Sequence, residues 1–324
     1  MNVFEALTNN CIVHPKQGYA FYFFHKGKEY KKCYSKLSDD LSKEIDFDSC
    51  FRLASVSKQF IAYAIVDLVN KGLINYDTKV SEIYSDLPEY FNNISIKNLL
   101  NHTSGIYDYE DMPHSDKQIV DEDILDFLRE TKRTYFESGT KYQYSNTAYI
   151  LLGLIISKVS KQSISEYIQV NIFEKAKMES SYVNIEGKTE IKNRAMGHII
   201  DEEGNLKVKD QYWCSATIGD GGIYSTVNDL LKWCNFLVNS KYYFEMTDAN
   251  YINENEYNEY AKGLRVIKYN NNEIIYHCGS TIGTRTLLLF SKDLNLCLVF
   301  LSNIDSIDTA VIKDNLLNYL DKQK

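Results

Sequence analysis

Ser55 and Lys58 stand three residues apart in FRLASVSKQF, Phe51 to Phe60, at the head of an apolar stripe. On a helix that spacing puts both side chains on one side. A serine hydroxyl is a poor nucleophile until a neighbouring base takes its proton, and a lysine one turn along can be that base once burial strips its amine of water. The helix N-terminus adds backbone N–H groups and a positive dipole end where an oxyanion would develop. The chemistry indicated is acyl transfer through a covalent serine intermediate. By itself the pair reads equally well as a plain N-cap serine with a solvated lysine. The same spacing recurs at Ser138–Lys141, but Gly139 interrupts it and no helical stripe surrounds it, so that copy reads as a loop.

Two further clusters follow in order. Tyr144-Ser145-Asn146 immediately precedes a helical stretch, Thr147 to Ser160, and His277-Cys278-Gly279 lies at a strand end. Tyr-x-Asn also begins at Tyr90, Tyr182, Tyr251 and Tyr269, so it carries weight only as part of the set. His102 in NHTSG reads as a hydrogen bonder that fixes a loop, and Tyr212 and Trp213 as either pocket wall or core.

The elements that must position these residues fall into a pattern. Asn2 to Thr8 reads as a short helix, and Gly18 to Leu37 as a hairpin breaking at Lys26-Gly27. Two more strand pairs turn near Asn270 to Asn272 and near Lys292-Asp293, and Ile307 to Leu320 has a helical period. Between these ends the period is helical: Ser55–Lys71, Val80–Tyr84, Ile96–Leu100, Val120–Glu130, Asn146–Ser160, Ile164–Phe173 and Thr226–Val238. The expected fold is α+β: an antiparallel sheet built from N- and C-terminal segments and flanked by helices, with a mostly helical middle. With 324 residues and no flexible linker, the chain is expected to form one two-lobed catalytic unit. Residues 1–78 plus 240–324 would make the sheet-containing lobe and 79–239 the helical one.

Ser-x-x-Lys, Tyr-x-Asn and His-x-Gly in this order resemble the three-motif site of the serine β-lactamase and penicillin-binding-protein superfamily. The likeness is greatest to its class C-like branch of D-aminopeptidases, DD-carboxypeptidases and carboxylesterases. LLNHTSGIYDY, GTKYQYSNTAYILLGLIISKVS, GDGGIYSTVNDLLKW and HCGSTIGTRT resemble connecting segments of that branch, over about Tyr19 to Asn303. The resemblance implies that Ser55 is the nucleophile, Lys58 its base, and Tyr144 the group that passes protons to the leaving group and activates the deacylating water. It implies that Asn146 holds a substrate carbonyl or amide and that His277 takes the third-motif basic position near Tyr144. The backbone N–H groups of Ser55 and Ser280 would form the oxyanion hole. Gly279 would leave room for substrate along the strand edge.

The sequence departs from the pattern at three places. His277 stands where typical lactamases have lysine, which removes a fixed charge for a lactam carboxylate. Ser138 replaces a proline before Gly139, and IFEKAKM, Ile172 to Met178, replaces a Pro-Leu-Gly-Met turn. The leading expectation is therefore a serine hydrolase acting on an ester or small peptide-like amide, with no cofactor and no metal. A DD-carboxypeptidase or penicillin-binding protein, a weak class C-like β-lactamase, and an inactive binding module on the same fold are the alternatives.

Composition narrows the partners. Asp and Glu (44) exceed Lys and Arg (36), for a formal charge of −8, which argues against a phosphate-backbone or anionic membrane partner. The longest apolar run, Tyr149 to Ile156, is far short of the ~20 residues of a spanning helix. The first residues lack a basic region followed by an apolar one, so they do not read as a signal peptide. Seven scattered cysteines, an odd number, read as free thiols of a reducing compartment. A cytoplasmic monomer acting on a small molecule or short peptide is expected.

Overall fold

The computed structural model describes residues 2–11, 18–35, 44–113, 116–249, 251–253, 256–257 and 259–323. Six antiparallel strands form the main sheet, in the order Arg265–Tyr269, Asn272–Thr281, Thr284–Ser291, Leu296–Ser302, Tyr19–His25, Lys28–Tyr34. The N-terminal hairpin thus completes the sheet begun by the C-terminal strands. Its turn is Lys26-Gly27, both at positive φ (49° and 78°), the conformation that matches the twist of a two-residue hairpin. Asn270-Asn271 repeats the device (48° and 64°) and sets Arg265 opposite Tyr276. Residues 36–37 of the expected hairpin lie outside the described residues.

Strand alternation explains why the inner strands are rich in apolar residues, whereas the edge strand Lys28–Tyr34 is charged and largely exposed. One face, with Ala20, Tyr22, Ile275, Leu288, Val299 and Leu301, joins the main core under the helices. The other, with Phe21, Phe23, Leu287, Leu289, Leu298 and Phe300, is covered by the terminal helices Val3–Thr8 and Thr309–Asp321 through Leu7, Ile312, Leu316 and Leu320. Both faces of the inner strands are covered, so the alternation there seldom shows as apolar against polar.

In front of the sheet lies the helix Lys58–Asn70, buried at every residue from Lys58 to Leu68 and packed against the helix Asn146–Ser160. A helix buried all round sits at the centre of a fold, not on its surface. The middle is not purely helical. Short strands Phe51–Arg52, Tyr182–Val183 and Ile223–Ser225 form a small antiparallel sheet, and His198–Ile200 pairs with Leu206–Val208. These strands are too short to impose a period on the sequence.

Candidate active site

Ser55 lies in a single 3₁₀ turn, Ala54–Ser57, that runs straight into the helix beginning at Lys58. Side chains three apart eclipse in a 3₁₀ turn, which brings the serine and lysine together. Lys58 Nζ donates to Ser55 Oγ at 3.1 Å. From Phe51 to Leu68 every residue is buried except Ser55. The turn opens on Ala54 at φ 49°, a left-handed conformation that an alanine adopts only under constraint. The constraint comes from the small sheet. Leu53 N–H donates to the Ile223 carbonyl, Ile223 N–H to Ser57 Oγ, and the buried Arg52 guanidinium to the Ser215 and Gly221 carbonyls.

Lys58 makes two further bonds, to Asn146 Oδ1 (2.6 Å) and to the Asp220 carbonyl (2.8 Å). Three acceptors, Ser55 Oγ, Asn146 Oδ1 and the Asp220 carbonyl, thus surround this one amine.

Tyr144 and Asn146 reach this point because the chain is extended at Ser145 (φ −137°, ψ 121°). Alternate side chains therefore diverge: Tyr144 and Asn146 are partly open, while Ser145 and Thr147 are buried. Ser145 Oγ donates to Asp108 Oδ2 (2.8 Å) and caps the helix by accepting from Ala148 N–H, and Ser145 N–H donates to His102 Nδ1 (3.1 Å). His102 is thus the loop-fixing histidine that NHTSG suggested. Burial, with the Lys58 charge, holds its pKa well below the ordinary value. The Tyr144 ring lies 5.0 Å from Lys58 Nζ, and its buried hydroxyl has no hydrogen-bond partner among the described residues.

His277 is buried beside Tyr144, ring centroids 6.2 Å apart. Its Nδ1 faces the Cys278 carbonyl (2.7 Å), which can only accept, so Nδ1 carries the proton. Nε2 then accepts from the Tyr260 hydroxyl (3.0 Å). Burial, reinforced by the Lys58 charge, pushes the pKa down to about 3. This neutral ring has no donor left for Tyr144 or for a substrate, in contrast to the hydrogen bond expected of the third-motif position.

Gly279 also needs a different explanation. A Cβ there would overlap the Leu53 carbonyl oxygen and Thr286 Oγ1, the pair that hydrogen-bond each other at 2.8 Å. The glycine lets the strand close onto the backbone behind the nucleophile, rather than clearing a path for substrate. Ser280, next along, is exposed. The neighbouring strand pairs only as far as Tyr276, so the edge from His277 to Thr281 continues beyond it.

Three residues at the site carry no local sequence signal. Arg265 lies over the Tyr144 and Tyr260 rings, its guanidinium carbon 5.7 and 5.4 Å from their centroids. It puts a fixed cation where His277 cannot. Reading the Asn270-Asn271 turn as a two-residue hairpin would have placed it next to His277. Asp121 is fully buried and accepts from Ile218 and Gly219 N–H (2.7 and 3.2 Å), holding the loop that presents the Asp220 carbonyl to Lys58. Glu110 reaches solvent, yet shielding of its carboxyl and the nearby Asp108 and Asp220 raise its pKa, against the pull of Asn146 beside it. Ser138 and Lys141 are not part of this constellation; Gly139 N–H donates to the Thr103 carbonyl in a loop. Trp213 packs edge-on to Tyr109, whose hydroxyl donates to Asp220 Oδ2.

Comparison with known proteins bears on the fold and the family. A family model described as Beta-lactamase matches residues 9–320. Penicillin-binding protein 4* of Bacillus subtilis (strain 168) is 31% identical over 283 residues, covering 79% of this chain and 61% of its own. Protein flp of Staphylococcus aureus (strain N315) is 26% identical over 280 residues, covering 79% and 53%. The chain therefore spans between half and two thirds of the length of these relatives. Among solved structures, the octameric penicillin-binding protein homologue from Pyrococcus abyssi superposes with a TM-score of 0.81 at 25% identity, over 94% of this chain and 73% of that one. D-amino acid amidase from Ochrobactrum anthropi SV3 does so with a TM-score of 0.77 at 24% identity, over 94% of each chain. This chain belongs to the Beta-lactamase family.

Proposed function

We propose that the protein hydrolyses an ester or a small peptide-like amide through an acyl-enzyme on Ser55. The observation that supports this most directly is the Ser55 Oγ–Lys58 Nζ contact at 3.1 Å, with Ser55 alone open in an otherwise buried stretch. Lys58 takes the hydroxyl proton as Ser55 Oγ attacks the carbonyl carbon. The oxyanion is received by the N–H groups of Ser55 and Ser280. The Tyr144 hydroxyl gives its proton to the leaving oxygen or nitrogen, and later draws one from the water that frees the acyl group. Asn146 orients the substrate and Lys58 together. Gly279 and His277 act behind the site, by packing and by placing the Tyr260 hydroxyl. No step needs a cofactor or metal.

The charges divide the cleft. Glu110 beside Asn146 suits an amine on the acyl side, and Arg265 beside Tyr144 suits a carboxylate on the leaving side. Arg265 is the specific reason to keep a DD-carboxypeptidase, or a weak β-lactamase, as the second reading. We read the protein as one two-lobed catalytic unit, working as a cytoplasmic monomer; its seven free thiols support the reducing compartment. Among the described residues no helix is long and apolar enough to cross a membrane. The deciding experiment is intact-mass detection of adducts at Ser55 with a fluorophosphonate, a β-lactam and a panel of esters and amides. A fluorophosphonate adduct mapped to Ser55 with ester or amide turnover supports the reading. Adducts only with the β-lactam favour the second, and no adduct at Ser55 removes both.

A further inference from the structure

The site uses no thiol, yet two of the seven cysteines meet elsewhere. Cys234, on the helix Val227–Val238, and Cys297, on the strand Leu296–Ser302, line one surface pocket of about 420 Å³ together with Tyr22, Phe24, Phe290 and Lys292. Both side chains face that pocket where the helix lies against the strand. Both sit inside regular elements that pack on each other, and Cys297 is held in register between Phe24 and Phe290. Their juxtaposition is therefore set by the fold and not by a mobile loop. The two thiols are unequally placed: Cys234 is 6% exposed, whereas Cys297 is partly open. Burial, then the Cys297 neighbour, raises the Cys234 pKa well above the usual thiol value, which keeps that sulfur protonated.

We infer that Cys234 and Cys297 form a redox-active dithiol that closes to a disulfide in this pocket when a small hydroperoxide enters it. Cys297 sulfur attacks the outer peroxide oxygen, the O–O bond breaks, and alcohol or water leaves with a sulfenic acid on Cys297. Cys234 sulfur then attacks the Cys297 sulfur. The S–O bond breaks, the S–S bond forms, and the Cys234 proton departs with the hydroxyl as water. Two thiols and one hydroperoxide give one disulfide, one alcohol or water, and one further water. The two electrons go to the peroxide. The bond would clamp the helix to the sheet at a distance from Ser55.

The test is stepwise treatment of the whole protein with hydrogen peroxide, followed by intact mass and a non-reducing peptide map. The expected result is loss of two hydrogens and a Cys234–Cys297 cross-link that dithiothreitol reverses. Cys234→Ser should strand Cys297 as a sulfenic acid that dimedone captures, and Cys297→Ser should give no cross-link at Cys234. Over-oxidation of Cys297 in the wild-type protein without a link would overturn the inference. A cross-link through a different pair would do the same, as would an unreacted Cys297 at peroxide doses that oxidise free cysteine. The wild-type measurement decides the matter even if a variant folds poorly.

Discussion

At the scale of single residues the chemistry rests on a few unshared roles. Ser55→Ala removes the nucleophile, and in a coupled site that costs on the order of 10⁶-fold in kcat. Ser138→Ala should be close to silent, since that serine lies in a loop outside the constellation; equal losses in the two variants, read from steady-state rates on the best substrate, would overturn the assignment. His277 offers a test of a different kind. With its proton fixed on Nδ1 by the Cys278 carbonyl and its pKa down at about 3, it does not titrate in any ordinary assay. His277→Gln should therefore lower kcat/KM without moving either limb of the pH–rate profile between pH 5 and 9. A limb near pH 6.5 that vanishes in the variant would show that the ring does change charge. The Ser-x-x-Lys pair was legible in the sequence because three-residue spacing is a local geometry. Arg265, Asp121 and Glu110 were not, because each acts across contacts between segments far apart in the chain. Seen from the sequence, each is an unremarked charge on a strand, a helix start or a loop.

Elements hold these residues by backbone contacts that leave no room for adjustment. The strand Asn272–Thr281 closes onto the Leu53 carbonyl through Gly279, and Leu53 directly precedes the turn that carries Ser55. Gly279→Ala should push strand and turn apart, costing about 1–3 kcal/mol as an overpacked site and lowering kcat in step, because the displaced backbone carries the nucleophile. Thermal melts and rates on the same preparation check this. Full stability with lost activity would return the glycine to the substrate edge. The element boundaries show what sequence can carry. Long helices with an apolar stripe, such as Asn146–Ser160, and hairpins with a marked turn, such as Lys26-Gly27, were readable. The two- and three-residue strands that brace the nucleophile turn were not, since their order comes from partners such as Ile223 and Arg52. The replaced Pro-Leu-Gly-Met turn belongs with them: Lys177 takes the left-handed conformation there (φ 59°), so the turn survives without its usual glycine.

For the molecule as a whole, the site's burial sets how stability depends on pH. All four histidines among the described residues, His25, His102, His198 and His277, have pKa values lowered chiefly by burial. Below pH 6.5 the unfolded chain takes up protons on these rings that the folded chain refuses, so the stability they contribute is present above 6.5 and is lost as pH falls. Asp121 acts in the opposite sense. Its burial raises the carboxyl pKa from 3.8 to about 8, against the pull of the Ile218 and Gly219 N–H groups. Between those values the folded chain holds a proton that the unfolded chain has released, and each pH unit upward costs ~1.4 kcal/mol. From pH 4 to 6.5 the histidines oppose and outnumber Asp121, and stability rises. From 6.5 to 8 Asp121 acts with the histidines already neutral in both states, and stability falls by about 2 kcal/mol. Urea unfolding midpoints measured every half unit should therefore peak near pH 6.5. Asp121→Asn cannot ionise and should flatten the alkaline side while steepening the acid side, where the histidines no longer meet its opposition. It should also lower kcat/KM, because an amide oxygen accepts one of the two N–H bonds that set the Asp220 carbonyl against Lys58. An alkaline decline that persists in the variant would locate the uptake elsewhere and leave Asp121 ionised, held by its two backbone donors.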